Sequence, residues 1–349
     1  MKRYIFTLLG ALILSTNIIA APNITGKPVI ISPEHLLNWP SDFKKTAPNL
    51  TEPTSNRLND LHGELGGCDL VLSTSGNYHM ALKEIWQKDL VKRSLIKNWF
   101  YTTSPPISPD QATTKTVQFG NLSLNCNPNV AVGPKKIINR LKKANLTVGE
   151  PVKIIKNQGN VILVKKGNPK NIKSIWDLGR KDVTVVTPNP LSERGSFGNF
   201  SNTIYNIALN DLTPPKNMNA TKLFNSIFNT DQKKCDVILK TCKWVSGKRI
   251  MHREQPWAIN SNKADAGVIF YHTALYIKNA FPDKFDVVML GGTIKNPTPL
   301  KGNKIGVLQA VRLKGDWSNS QLAATEILMG SLTSDRFTQI LKKYGINRP

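Results

Sequence analysis

The chain has 349 residues, enough for two lobes that each bury a core. It carries 47 Lys and Arg against 23 Asp and Glu, a formal net charge of +24, on an ordinary hydrophobic share of 40%. The lysines are spread through every segment and no RNP, zinc-finger or basic-zipper pattern gathers them. The charge therefore reads first as a basic solvated surface that steers anions or meets an anionic membrane, with a nucleic-acid interface a minor alternative and no nucleic acid expected as partner.

Lys2 and Arg3 precede an apolar run from Tyr4 to Leu14, and Ala20-Ala21 before Pro22 offers a small-residue cleavage site. Residues 1–20 read as a secretory signal peptide, too short to span a bilayer and with no second apolar segment behind it. No cysteine stands at the cleavage site to take a lipid anchor. Removal takes two basic residues and no acid, lowering the formal charge from +24 to +22. Four cysteines in an exported chain predict two disulfides, for which three pairings are possible. The pairing expected joins Cys235 to Cys242 across a short local loop and Cys68 to Cys126 within the first lobe. No CxxC pair supports a four-thiolate metal site.

Residues 21–66 are rich in Pro, Asn, Ser and Thr and lack periodicity. They are expected to form an irregular arm on the first lobe, with a short helix near Pro33 to Leu37. Order begins at Cys68: Asp69 to Leu72 predicts a strand, Ser73-Thr74-Ser75-Gly76-Asn77 a polar turn, and Tyr78, Leu82, Ile85 and Trp86 the inner face of a helix. A strand is placed at Ser94 to Tyr101. Val130 to Gly133 reads as a strand ending at Pro134, which suits the first turn of a basic helix from Lys135 to Ala144. Pro151 to Lys166 reads as a strand pair around Gln158-Gly159 that delivers the chain into the second lobe.

Residues 161–200 centre that lobe. Val161 to Val164 is apolar, Gly167-Asn168-Pro169 breaks it, and Ile172, Ile175, Trp176 and Leu178 share a helical face. A second strand, Val183 to Val186, runs through the turn Thr187 to Gly195 into a helix with Phe197, Phe200, Ile204 and Ile207 inward. This repeats the strand–turn–helix pattern of residues 69–86. Each turn leads onto a helix N-terminus, where unpartnered N–H groups and the dipole favour an anion. Ser, Thr and Asn are also the preferred helix caps, so the residues alone leave capping and ligand contact both open.

Further on, Thr221 to Thr230 is helical, Ala264 to Phe270 and Phe285 to Leu290 are strands, and Lys304 to Leu313 returns the chain to the first lobe. Residues 319–345 form two amphipathic helices, the second capped by Ser334-Asp335. Within Met251-His252-Arg253-Glu254-Gln255-Pro256, Arg253 has two readings: an anion contact, or a tie to a carboxylate at the cleft rim. His252 is the best functional candidate of the five histidines, yet no HExxH spacing joins it to His62, His79 or His272.

In order and spacing, GNPKNIKSIWDL (167–178), VTVVTPNP (183–190), MHREQP (251–256), KADAGVIF (263–270) and SDRFTQILKKYGI (334–346) resemble periplasmic solute-binding proteins of the sulfate/molybdate group, the binding components of ABC importers. The likeness spans residues 68–349. It implies an α/β, two-lobe periplasmic-binding-protein-like fold of type II, each lobe a mixed sheet flanked by helices, joined by two crossover strands. The first lobe would take residues 67–164 and 301–349, the second 165–300. It implies a periplasmic monomer, with no catalysis, cofactor, metal or nucleic acid, that captures a small anionic solute such as a sulfate-, molybdate- or tungstate-like oxyanion between the lobes. A membrane ABC permease would be its partner. The two turns would grip the ligand through Ser73, Thr74, Ser75, Gly76, Asn77, Asn189, Ser192 and Arg194, joined by Arg253 and Tyr271.

The chain departs from the group's pattern in three places. Gln255 replaces a threonine, Phe270 stands where molybdate binders carry a ligand-donating tyrosine (with Tyr271 one step on), and the Ser-Gly-Gly turn of sulfate binders is missing. Glu193, in that turn, would repel an anion unless Arg194 neutralised it. These departures touch the ligand's identity more than its class. An alternative from another class is an exported basic interaction or sensor protein that keeps the fold without a transport ligand and binds anionic membranes or polymers in a salt-sensitive way. An enzyme is disfavoured, since there is no GxSxG elbow, no local nucleophile–base signature and no motif flanked by paired carboxylates.

Overall fold

Short apolar strands alternating with amphipathic helices build two six-stranded sheets, one for each lobe. The computed structural model describes residues 21–31, 37, 39, 61–63, 69–74, 78–86, 89, 99–102, 109, 112, 117–119, 122–124, 127–239 and 241–349. The expectations for residues 1–20, for a helix beginning near Pro33, for Ser75-Gly76-Asn77 and for a Cys68–Cys126 disulfide lie outside these residues.

The strands are β1 (Val29–Ile30), β2 (Leu61–Gly63), β3 (Leu70–Thr74), β4 (Trp99–Thr102), β5 (Val117–Phe119), β6 (Leu122–Leu124) and β7 (Val130–Pro134). They continue as β8 (Thr147–Lys156), β9 (Asn160–Lys165), β10 (Val185–Thr187), β11 (Trp244–Ser246), β12 (Ala266–Phe270), β13 (Phe285–Val288) and β14 (Val307–Leu313). The helices are α1 (His79–Ile85), α2 (Lys135–Lys143), α3 (Arg194–Asn210), α4 (Ala220–Phe228), α5 (Met251–Asn260), α6 (Tyr271–Ala280), α7 (Asn319–Thr333) and α8 (Asp335–Lys343), with a 3-10 turn at Ile175–Gly179.

The first-lobe sheet runs β2-β4-β3-β7-β14-β8, and β5 pairs with β6 apart from it. β3 lies parallel to β4 and β7, while β14 is antiparallel to β7 and β8. The second-lobe sheet runs β1-β11-β10-β12-β9-β13. Its first four strands are parallel, and β9 is antiparallel to both neighbours. Asn160 to Val164 is buried without alternation, as a central strand covered on both faces requires. In the second-lobe core, Trp244 stacks on Phe197 at 5.6 Å between centroids and meets the edge of Phe228 at 5.0 Å. Such pairs add about 0.5–1.5 kcal/mol each beyond their buried area. Trp86, Leu328 and Phe337 anchor the first-lobe core.

Three expectations are corrected. The arm does not lie on the first lobe alone: Val29 and Ile30 add a parallel edge strand to β11 of the second lobe, and Thr25 N–H donates to Asn229 Oδ1 at 2.7 Å. Among the described residues of the arm, β2 is the part that joins the first-lobe sheet. Residues 151–166 are not a strand pair either, because β8 pairs with β14 and β9 with β12 and β13. The lobe boundary therefore falls at 157–159, before β9 rather than after Val164. An apolar central strand needs a neighbour on each side, and only the second sheet supplies two.

The chain crosses between lobes at 157–159 and returns between β13 and β14. Uncharged groups lock the two crossings together. Asn157 Oδ1 accepts from Gly159 N–H (3.2 Å) and Gly306 N–H (2.9 Å), while Asn303 Oδ1 accepts from Asn160 N–H (2.8 Å) and Asn303 Nδ2 donates to Asn160 O (2.9 Å). Gly159 has φ +77°, and a Cβ there would sit 2.9 Å from Asn303 Oδ1, so the crossover requires glycine.

Candidate functional site

Strand β3 ends at Thr74 and α1 starts at His79, and this start of the first lobe docks on the starts of α5 and α6 in the second. The Tyr78 ring stacks on His272, with centroids 4.7 Å apart and planes 18° apart. His79 stacks on His252 at 5.2 Å and meets the edge of Tyr276 at 5.3 Å. All four residues of the two stacks are buried. Asn157 Nδ2 donates to the Tyr78 hydroxyl at 3.1 Å, tying the contact to the crossover. Burial pushes the Tyr78 phenol up to about 12, against a smaller opposite pull from Asn157. The phenol thus stays protonated at neutral pH.

Neutral polar atoms without a partner among the described residues collect on these elements. They are Thr74 Oγ1 at the end of β3, Asn160 Oδ1 at the start of β9, both amide atoms of Gln255 in α5, and Thr273 Oγ1 in the first turn of α6. Thr74, Thr273 and Gln255 are 0%, 1% and 1% exposed. A buried hydroxyl or amide left unpaired costs free energy, so each of these atoms calls for a partner beyond the described residues.

The second turn lies beside α5. Asn189 is spent on the turn itself: its Oδ1 accepts from Leu191 N–H and its Nδ2 donates to Gly247 O, each at 2.9 Å. Ser192 and Arg194 are exposed. Glu193 does not cap its own helix; Oε1 accepts from Met251 N–H at 3.3 Å, so its carboxyl sits at the start of α5. Glu254 is next to it and accepts from Arg249 N–H at 2.6 Å. Burial above all, and the charge of Glu254 in addition, push the Glu193 carboxyl up to about 8, while the Met251 N–H pulls it down. Thr187, Asn189, Glu193, Gly247, Glu254 and Gln255 border a recess too tight to admit even a water molecule. The cradle read from the sequence as an anion seat therefore already holds a carboxyl of the chain.

Arg253 is buried, with its guanidinium 4.5 Å from the centre of the Trp39 ring. Trp39 itself stacks near Tyr276 (5.8 Å) and meets the edge of Phe281 (4.9 Å). The arm thus reaches the second lobe beside the boundary. Tyr271 opens α6; its hydroxyl donates to Ile294 O at 2.6 Å, and its N–H donates to Gly159 O at 3.0 Å. Ser73 is buried at the end of β3. Among the predicted residues, Ser73 and Thr74 are buried at the end of β3, Arg253 is buried in α5 and Tyr271 opens α6, while Asn189, Ser192 and Arg194 sit in the turn beside α5. Sequence reasoning named His79, His272 and Gln255 without counting them as ligand contacts, and passed over Thr273. His79 and His272 were weighed only as metal ligands, whereas each lies in the first turn of a helix that follows a strand. Among the described residues no group of three or more His, Cys, Asp or Glu is placed to hold a metal.

Residues 128–347 match the family model described as bacterial extracellular solute-binding protein. The sulfate-binding protein SubI from Mycobacterium tuberculosis is similar in structure, at 16% identity over 81% of this chain and 87% of that one, with a TM-score of 0.51. Peb3 from Campylobacter jejuni is 17% identical over 80% of this chain and 100% of that one, with a TM-score of 0.49. The periplasmic molybdate-binding protein of Azotobacter vinelandii is 15% identical over 80% and 99%, at 0.48. At these identities the likeness concerns the fold, a two-lobe periplasmic-binding-protein-like architecture. No curated protein matches the sequence.

Proposed function

Since this chain belongs to the bacterial extracellular solute-binding protein family, we propose that it captures a small anionic solute between its lobes in the periplasm and delivers it to a membrane ABC permease. The observation that carries this reading is the set of buried, unpartnered hydroxyl and amide groups contributed from both sides of the boundary: Thr74 from the first lobe, Gln255 and Thr273 from the second. Gln255 lies in α5 and Thr273 in the first turn of α6, helices whose N-terminal N–H groups favour negative charge. Such groups hold an oxyanion by hydrogen bonds without a full countercharge. Because Glu193 occupies the other cradle, the anion belongs at the α6 side, near Thr74 and Thr273, and the turn at 189–194 forms a wall of the site. Sulfate, molybdate, tungstate and phosphate are the first candidates, with small carboxylates after them.

Calorimetry and thermal shift of the protein against these anions test the reading. Binding to the folded state raises the melting temperature by mass action. An upward shift that disappears in Thr74→Val supports it, and silence across the whole panel overturns the anionic ligand class.

A further inference from the structure

The disulfide Cys235–Cys242 closes a loop whose tip faces solvent. At that tip stand two adjacent aliphatic side chains, Ile238 at 79% and Leu239 at 73% exposure. The loop is pinned. The Asp236 carboxylate accepts from Ile238 N–H (2.6 Å) and Leu239 N–H (3.1 Å), and Asp236 N–H donates to Thr241 Oγ1 (2.7 Å). Its base is riveted to the lobe, with Thr184 Oγ1 donating to Cys242 O at 2.7 Å and Lys243 Nζ donating to the carbonyls of Leu178, Arg180 and Val183. Lys233 and Lys234, just ahead of the loop in sequence, are exposed. The nearby acids Asp231 and Asp236 are also exposed, and each accepts from backbone N–H groups close in sequence, Asp236 as described and Asp231 Oδ1 from Lys233 N–H at 3.0 Å.

A covalently closed, hydrogen-bonded loop that holds two aliphatics in water, with exposed lysines just ahead of it in sequence, has the chemistry of an interfacial anchor. The loop precedes β11, and the site lies beyond the other end of that strand at Gly247 to Met251, so docking here leaves the lobe boundary open. We propose that the Cys235–Cys242 loop docks on an anionic bilayer surface, with Ile238 and Leu239 entering the interface and the flanking lysines meeting lipid phosphates. Lysines near such a surface each add attraction that salt screens, and the chain's formal +24 charge brings it there.

Sedimentation of the protein with phosphatidylglycerol vesicles, compared with phosphatidylcholine vesicles, tests this. The wild type is expected to bind the anionic vesicles, and Ile238→Ser/Leu239→Ser, which keeps every charge, is expected to bind at least fivefold more weakly at an unchanged melting temperature. Leu239→Trp should show a blue shift of the new indole on adding phosphatidylglycerol vesicles. Equal binding by the serine variant means that net charge alone is at work and overturns the proposal. So does the absence of binding to pure lipid, or binding only to vesicles that carry membrane proteins, which would make the partner a protein.

Discussion

Replacing Thr74 and Thr273 by valine separates function from stability. Valine matches threonine in shape and loses only the hydroxyl. If that hydroxyl were a structural hydrogen-bond partner, its removal would cost about 1–1.5 kcal/mol. Here both oxygens are buried with no partner among the described residues, so each represents desolvation without return, about 1–3 kcal/mol on protein scales. Each valine is therefore expected to leave the empty protein unchanged or stabilise it by about 1 kcal/mol. Binding goes the other way. A hydroxyl donating to an anion is worth about 1.5–3 kcal/mol, so each variant should lose roughly tenfold to a hundredfold in affinity. Denaturant melts of the empty protein and calorimetry with its best anion supply the two numbers. A valine variant that melts earlier by more than about 1 kcal/mol, with affinity intact, would show the hydroxyls to be structural.

Glu193→Gln changes the pH dependence of stability. The folded value of about 8 lies above the ordinary 4.5, so the folded chain holds that proton more tightly than the unfolded one. Glu193's share of stability is complete below pH 4.5 and is lost as the pH rises through about 8. The interval corresponds to at most about 5 kcal/mol, less where water or coupling to Glu254 relieves the charge. The variant should flatten this decline in denaturant melts across that range, and parallel curves refute the assignment. Lys243→Met leaves the carbonyls of Leu178, Arg180 and Val183 without their shared donor. It should cost about 2–4 kcal/mol in a denaturant melt while sparing ligand affinity.

Much of the fold could be read from local pattern. Phe197, Phe200, Ile204 and Ile207 fixed the buried face of α3, and Ser334 caps α8 by accepting from Phe337 N–H at 3.2 Å. Pairing partners were harder. Val161 to Val164 announced a buried strand but not its sheet, because an apolar run says that both faces are covered and not by which strands. Val29-Ile30 was missed for a related reason: two residues have no period, and their pairing with β11 depends on an edge over two hundred positions away. The site divides in the same manner. Ser73 and Thr74 were visible because a polar turn after a strand has a local signature. Gln255 and Thr273 were not, since an amide within HREQP and a hydroxyl within a helix become meaningful only once their missing partners are counted.

Those missing partners also bear on how far the lobes close. In this structure the boundary is held by Tyr78 on His272, His79 on His252 and His79 against Tyr276. Ring contacts of this kind give about 0.5–1.5 kcal/mol each, a few kcal/mol together. Against them stand two hydroxyls and an amide kept from water, at about 1–3 kcal/mol each. The terms are of similar size, so the empty chain has little reason to remain shut, and a guest that satisfies those atoms tips the balance toward closure. Small-angle scattering should accordingly give a larger radius of gyration without ligand than with it, and Thr74→Val/Thr273→Val should shift the empty protein toward the compact form. An empty wild type already as compact as the liganded one, and unmoved by the double substitution, would mean that the orphaned groups play no part in closure.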